Sequence, residues 1–529
     1  MKKTITILVA IAAITAWSAA YADVLRMAYS SAPRSVDPYP FGGATTAAYK
    51  EHIYEALVAH DDSPLLATGW TWNNPTSLTV NLRKGVNFHN GQPFTARDVV
   101  YSACRMMNLI DGKRNLLTSS MGPLTDVIAV DDHNVRFEMA NPYPLWIQKM
   151  KFLSILPTSG ADVPDGPIKY DAQGDCGISA YPTRDDFENG DAAMGTGPFK
   201  HVSFDKEFAK MERNDDYWGK LAQWEGVEIT SVSNSGARFA GLLAGDYDLI
   251  ENPTAEDITA LEGNDDYTFT GKPAWRTMFI VLNLSPDGAS GVSAADGSAP
   301  LADIRVRQAM SLAINREAIT NRLLGGSATV ANQFAPAYRA GAPKMPKLEY
   351  DPEKAKKLMA EAGYADGFTI VFNAPSDRYP SGARVAQAIA QYWSRIGINV
   401  ELKTQPWSVF AKARRAGELG VFLYGWGHPQ GPAQMISFAF ASRNKALGLG
   451  SSNYSNYASK AFDAAIQAWA VEPDQAKANA YVADAMVAAM NDLPGIPIYY
   501  THSLWAHRSD LTVDGRQDER TSAFMVSKN

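Results

Sequence analysis

Leu82-Arg83-Lys84-Gly85-Val86-Asn87-Phe88-His89-Asn90-Gly91, continuing through Pro93-Phe94-Thr95-Ala96-Arg97-Asp98-Val99-Val100-Tyr101-Ser102, is the stretch on which the fold turns. Just before it, Ser77–Leu82 alternates in the strand period. Gly85, Gly91 and Pro93 set turns around a strand pair. Thr95 then reads as the N-cap of a helix running through Arg105, its hydroxyl accepting from early backbone N–H groups. Arg83 and Asp98 read as fold-maintaining residues that satisfy one another.

The same mixture extends in both directions. Leu25–Tyr29, Val135–Met139, Lys210–Arg213, Val227–Ser231, Phe279–Asn283, Ile398–Leu402 and Val421–Tyr424 read as strands. Val135, Phe137 and Met139 fall on one face of theirs. Helices are expected at Ala47–Ala59, Ser235–Leu243 (ending at Gly245), Val306–Leu323 (stopping at Gly325 and Gly326) and Pro352–Ala362 (capped by Gly363). A helix begins at Ser381, where Val385, Ile389, Trp393 and Ile396 recur along one apolar face. Gly397 ends it, and a strand comes next. Helix-then-strand units of this kind predict an α/β fold. Asp287–Pro300, rich in Gly, Ser and Ala, reads as an exposed loop.

At the amino end, Lys2 and Lys3 precede an apolar run and Ala20-Tyr21-Ala22. Charged start, short apolar core and small-x-small site predict a signal peptide over 1–22, cleaved after Ala22. Neither cysteine lies in a lipid-anchor position, and no later run is long enough for a membrane span. The expected location is the periplasm. The chain beyond residue 22 exceeds one ordinary domain; at about 150 residues each, two to four units are expected. With 46 % hydrophobic and 11 % aromatic residues the chain can bury large cores. A net charge of −7 and the lack of a basic run exclude nucleic acid as a partner. Cys104 and Cys176 would meet in an oxidising compartment. Whether they close their loop of about 70 residues depends on distance, which sequence does not give.

No catalytic constellation emerges. There is no G-x-S-x-G elbow, no H-E-x-x-H, no P-loop and no full dinucleotide fingerprint. No Cys/His spacing predicts a metal site. Catalytic residues, metal and cofactor are all expected to be none. A large exported α/β chain without visible chemistry has the profile of a binding protein.

Several blocks resemble one family. The quoted stretch is similar to a signature of the peptide/opine/nickel-type solute-binding proteins of ABC importers, which include the dipeptide- and oligopeptide-binding proteins. Val36-Asp37-Pro38, Ile53-Tyr54-Glu55-Ala56-Leu57-Val58 and Leu66-Ala67 with Gly69-Trp70 resemble its earlier blocks. Gly195-Thr196-Gly197-Pro198-Phe199, Asn214 with Tyr217-Trp218, Val306-Arg307-Gln308-Ala309, Tyr350-Asp351-Pro352 and Ile496-Pro497-Ile498-Tyr499 come after them in family order.

The resemblance implies a two-lobed periplasmic-binding-protein fold of type II, in its large peptide-binding class. It has a hinge and an extra subdomain in the first lobe. Lobe I would take 23–270 plus 498–529, and lobe II 271–497. A ligand would sit between them, and the loaded, monomeric protein would dock on an ABC permease with its ATPases. The cleft would be lined from 29–34 (Tyr29, Ser31, Arg34), from 376–379 (Ser376, Arg378, Tyr379), by Trp407, and by Gly425, Trp426, Gly427 and His428. Trp407 and Trp426 offer faces for stacking, or serve as core. Arg378 clamps a carboxylate or phosphate, or makes a structural salt bridge. His428 donates to an anion, or is a surface residue.

One departure bears on the ligand. Peptide binders of the family follow the tryptophan with an acid that holds the peptide's ammonium. Here Gly427 and His428 stand in those places, and Leu423 stands where oligopeptide binders can carry arginine. A buried ammonium without a counter-charge is costly. The expected ligand is therefore a peptide whose ammonium finds another acid, or an opine or sugar-phosphate-like anion. A peptide receptor or chaperone of the same fold, and an exported hydrolase, are the alternatives.

Overall fold

The computed structural model describes residues 23–41, 43–107, 121, 123–171, 176–205, 207–428, 431–445 and 447–529. The expected signal peptide, 1–22, lies outside them. The architecture is mixed α/β. Among the described residues a twelve-stranded sheet forms the frame and a five-stranded antiparallel sheet stands apart from it.

Two long strands carry the frame. Tyr267–Leu282 and Gly495–Arg508 pair antiparallel from Tyr267 opposite Arg508 to Val281 opposite Gly495, with register shifts between Pro273 and Thr277 and between Met278 and Phe279. At one end of this ribbon, Trp505 joins a core built from Leu25, Met27, Tyr29, Leu57, Phe137 and Ile229. At the other end the ribbon is buried on both faces. Met278, Ile280 and Leu282 enter one core with Phe372, Ile389 and Trp393. Phe279 and Val281 enter another with Phe334, Phe422 and Phe440. Successive strand residues point to opposite faces, so an unbroken apolar run demands cover on both sides.

The helix Gly382–Ser394 supplies part of that cover. Val385, Ile389 and Trp393 are fully buried. The Trp393 indole N–H donates to the Met310 carbonyl at 3.0 Å. Asn134–Met139 alternates as the sequence predicts, burying Val135, Phe137 and Met139. Cys104 and Cys176 form a disulfide, with Cα atoms 6.1 Å apart.

Several expectations are corrected. The helix expected over 306–323 breaks: Ile304–Leu312 is α-helical, and a short turn, Arg316–Ala318, runs into a π-helical Ile319–Leu323. The break lets the buried Arg316 guanidinium donate to the carbonyls of Pro497 (2.8 Å) and Ser311 (3.0 Å), while the Asn315 side chain caps the new turn. The helix expected over 47–59 spans only Ala44–Lys50. Beyond it the carbonyls of His52 and Ile53 accept from Phe199 and Gly197, at 3.0 Å each. Gly195 permits that approach, since a Cβ there would lie 1.9 Å from the Ile53 carbonyl oxygen. The strand expected over 279–283 is part of the sixteen-residue Tyr267–Leu282.

In the opening stretch, Thr95 donates its hydroxyl to Asp98 (3.0 Å) instead of accepting from the helix. Asp98 also accepts from the backbone of Thr95 and Thr158 and from the Gln92 amide. Arg83 does not pair with it: Arg83 donates to the Leu65 carbonyl at 2.9 Å and lies 4.5 Å over the Trp218 ring.

Candidate functional site

A cavity of about 790 Å³ opens between the cores. One wall carries Phe41, Lys50, Glu51, Glu55 and His60. The facing wall carries Arg378, Tyr379, Trp407, Tyr424 and residues 425–428. Trp275 and Arg276 from the long ribbon, with the segment 516–520, close a third side.

The Gly-Trp-Gly turn is shaped by close approach. Trp426 ends the strand Val421–Trp426, paired opposite Thr277. A Cβ on Gly425 would lie 2.3 Å from the Met278 sulfur and 2.9 Å from the Tyr379 ring. A Cβ on Gly427 would lie 2.6 Å from the Trp275 carbonyl oxygen. Without side chains the strand end seats against Tyr379, whose hydroxyl accepts from Gly425 N–H at 2.9 Å and donates to its carbonyl at 3.3 Å. Trp426 stacks on Phe438 (6.1 Å) and Trp407 on Phe410 (5.7 Å). Both tryptophans are only half-buried, which leaves aromatic surface towards the cavity.

Charge in the cavity is unevenly satisfied. Seven cationic side chains, Lys50, Lys151, Lys220, Arg276, Arg378, Arg516 and Arg520, share its walls with four carboxylates. Every carboxylate is engaged. Glu51 accepts from Arg516 (2.8 Å) and Arg520 (3.3 Å). Asp518 accepts from Arg516 at 2.9 Å. Glu519 accepts from Arg276 at 3.0 and 2.9 Å and from Thr501 at 3.0 Å. Glu55 accepts from Thr196, Tyr217 and Trp218 at 2.8 Å each. Burial alone would raise the Glu519 carboxyl, but Arg276 outweighs it and holds the group below its ordinary value. At Glu55 burial prevails and pushes the carboxyl up.

Arg378 has no carboxylate partner among the described residues. Its guanidinium carbon lies 5.4 Å from the Trp407 ring centre and 5.8 Å from that of Tyr379. Burial and then the neighbouring Arg276 lower its pKa, and the more distant Glu519 charge offsets this only in part. His428 is held well below the usual imidazole range by burial and by Lys149, Lys151 and Arg339, so its ring is neutral near pH 7.

Of the residues singled out in the sequence, the structure brings seven to this cavity: Arg378, Tyr379, Trp407, Gly425, Trp426, Gly427 and His428. Four lie off its wall. Tyr29 is fully buried and donates its hydroxyl to the Thr521 carbonyl. The Ser31 hydroxyl is 2.9 Å from that of Thr45. The Arg34 guanidinium lies 4.1 Å over Phe41, itself a wall residue. Ser376 is exposed, and its N–H donates to Gln405. Lys50, Glu51, Arg276 and 516–520 escaped the sequence reading. Glu51 and Arg516 stand 465 positions apart, and no local pattern joins them.

Aromatic faces, a guanidinium without a carboxylate salt bridge among the described residues and residues drawn from separate cores meet around this one cavity. Residues 63–448 match the family model of bacterial extracellular solute-binding proteins, family 5 (middle region). The chain belongs to that family, the solute-binding subunits of ABC importers, whose members are extracytoplasmic binding proteins and not enzymes. It is 28 % identical to heme-binding protein A of Haemophilus influenzae, over 87 % of this chain and 83 % of that one. It is 26 % identical to the dipeptide-binding protein of Escherichia coli, over 92 % and 91 %. Among solved structures, the Helicobacter pylori periplasmic binding protein DppA, in complex with the peptide STSA, superposes with a TM-score of 0.77 at 24 % identity, covering 96 % of this chain and 98 % of that one. The fold is the two-lobed type II periplasmic-binding-protein fold. Among the described residues no helix is long and apolar enough to cross a membrane.

Proposed function

We propose that this chain captures a small organic anion, bearing a carboxylate or phosphate, and delivers it to an ABC permease. The observation that carries this reading is Arg378, a cation on the cavity wall that no carboxylate of the described residues salt-bridges and that two aromatic rings flank. A planar guanidinium binds carboxylate or phosphate through two parallel hydrogen bonds. Trp407 and Trp426 supply faces for an apolar or ring-bearing body.

The relatives bind heme or dipeptides by name. A dipeptide's ammonium needs an acid, and each wall carboxylate already serves arginines or hydrogen-bond donors. At Glu51, Asp518 and Glu519, breaking such a pair to seat an ammonium leaves an arginine uncompensated, and Glu55 already accepts from three neutral donors. That favours an opine or sugar-phosphate-like anion over a free peptide.

In this reading lobe I is 23–270 plus 498–529, lobe II is 271–497, and the chain crossings between them bend. The closed form is favoured by the ligand's higher affinity for it. Native mass spectrometry of the protein purified from its host tests the proposal, together with calorimetry on Arg378→Ala. A single co-purifying anion, whose binding falls at least a hundredfold in the variant, supports it. A mixture of peptides, or unchanged affinity in Arg378→Ala, overturns it.

A further inference from the structure

A second unmatched cation stands on the facing wall. Lys50 ends the helix Ala44–Lys50, and its side chain is 8 % exposed. Its ammonium donates to the carbonyls of Pro38 and Phe41, which leaves one of three donors unassigned. Asp37, the acid whose charge acts on it, is already held by Arg105 in a two-pronged pair at 2.8 and 2.7 Å. Arg520 adds further positive charge, and its own contacts go to Glu51 and Asp518. No carboxylate pairs with Lys50 among the described residues.

Lys50 and Arg378 thus face one cavity from separate cores. A buried cation without a counter-ion costs free energy, and an anion at the wall recovers it. We infer that the ligand is an organic dianion, with one acidic group for Arg378 and a second for Lys50, joined by a body that the tryptophans cover. This rests on the anionic reading above and narrows it. It also gives closure a physical cause. A solute with acidic groups at both ends touches a cation of each wall only when the walls come together, so its affinity differs between open and closed forms.

N-benzoyl-glutamate and N-benzoyl-glutamine make a matched pair of probes. Each has one carboxylate, an aromatic body and no ammonium; only the first has a second carboxylate. Calorimetry on the wild-type protein is expected to find the glutamate compound bound at least tenfold more tightly. Lys50→Met is expected to bring the two affinities together, and Lys50→Arg to keep them apart. Should Lys50→Met fail to fold, the wild-type ratio and the arginine variant carry the test. Equal binding of both probes by the wild type overturns the dianion while leaving the anionic reading intact. Binding of neither probe at millimolar concentration overturns both.

Discussion

The Arg276 Nε donates to both carboxylate oxygens of Glu519, at 3.0 and 2.9 Å, although 243 positions separate the residues. Each side chain is about four-fifths buried (19 % and 23 % exposed). Glu519 holds a left-handed backbone, φ 59°, a conformation costing a non-glycine residue on the order of 1 kcal/mol. The clamp on its carboxylate offsets that cost. Glu519→Ala leaves a largely buried guanidinium uncompensated and is expected to lower stability by about 3 kcal/mol. Urea unfolding measures this. A variant with the wild-type midpoint and slope shows that the pair stabilises nothing.

Gly427→Ala tests the shape of the aromatic turn. The added methyl would meet the Trp275 backbone, which cannot rotate aside as a flexible side chain can. Stability is expected to fall by about 1–3 kcal/mol, as for other overpacked sites. Ligand affinity is expected to drop at least tenfold as Trp426 is displaced. Full binding by this variant shows that Trp426 does not depend on the close approach.

Acid should weaken the fold through His89. Its Nδ1 accepts from Gly195 N–H (3.3 Å), and its Nε2–H donates to the Gly197 carbonyl (2.9 Å), so the fold requires the neutral ring. Burial lowers its pKa to about 4. The unfolded chain takes up the same proton near pH 6.5, at about the ordinary imidazole value. Between these values the unfolded state binds more protons, so stability is full above about 6.5 and is lost as pH falls towards 4. The loss is expected to be about 3 kcal/mol. His89→Gln should flatten this part of a stability-versus-pH curve; an unaltered slope assigns the acid sensitivity elsewhere.

The disulfide closes a loop of 72 residues. On the chain-entropy account, replacing both cysteines by alanine should lower stability by about 4 kcal/mol. Thermal unfolding of the double variant against the oxidised protein gives the value. A shift equal to that of a single buried Cys→Ala change would show that the cross-link itself adds little.

Much of the α/β pattern was legible because it is written locally. Val135, Phe137 and Met139 alternate, and Val385, Ile389 and Trp393 recur at helical spacing; each pattern marks the face that is buried. The helix expected over 306–323 failed for a tertiary reason. The Arg316 guanidinium needs carbonyls from 497 and 311, and periodicity carries no information about a buried arginine's partners. The site divides in the same way. Residues 425–428 stand out as a tryptophan among glycines, whereas Lys50, Arg276 and 516–520 become a wall only through pairings across hundreds of residues. Tyr29 sat in the right strand, but its side chain points to the core.

The core around Leu25, Phe137 and Ile229 is completed by Trp505, Leu511, Val513, Met525 and Val526. A chain made or threaded from its amino end presents those first residues long before the last ones arrive. Until then the core stays open at the places these side chains fill, and the antiparallel partner of Tyr267–Leu282 is missing. The native fold therefore cannot lock early. The core is thus assembled in an order set by the chain: its closing side chains belong to the last residues to arrive.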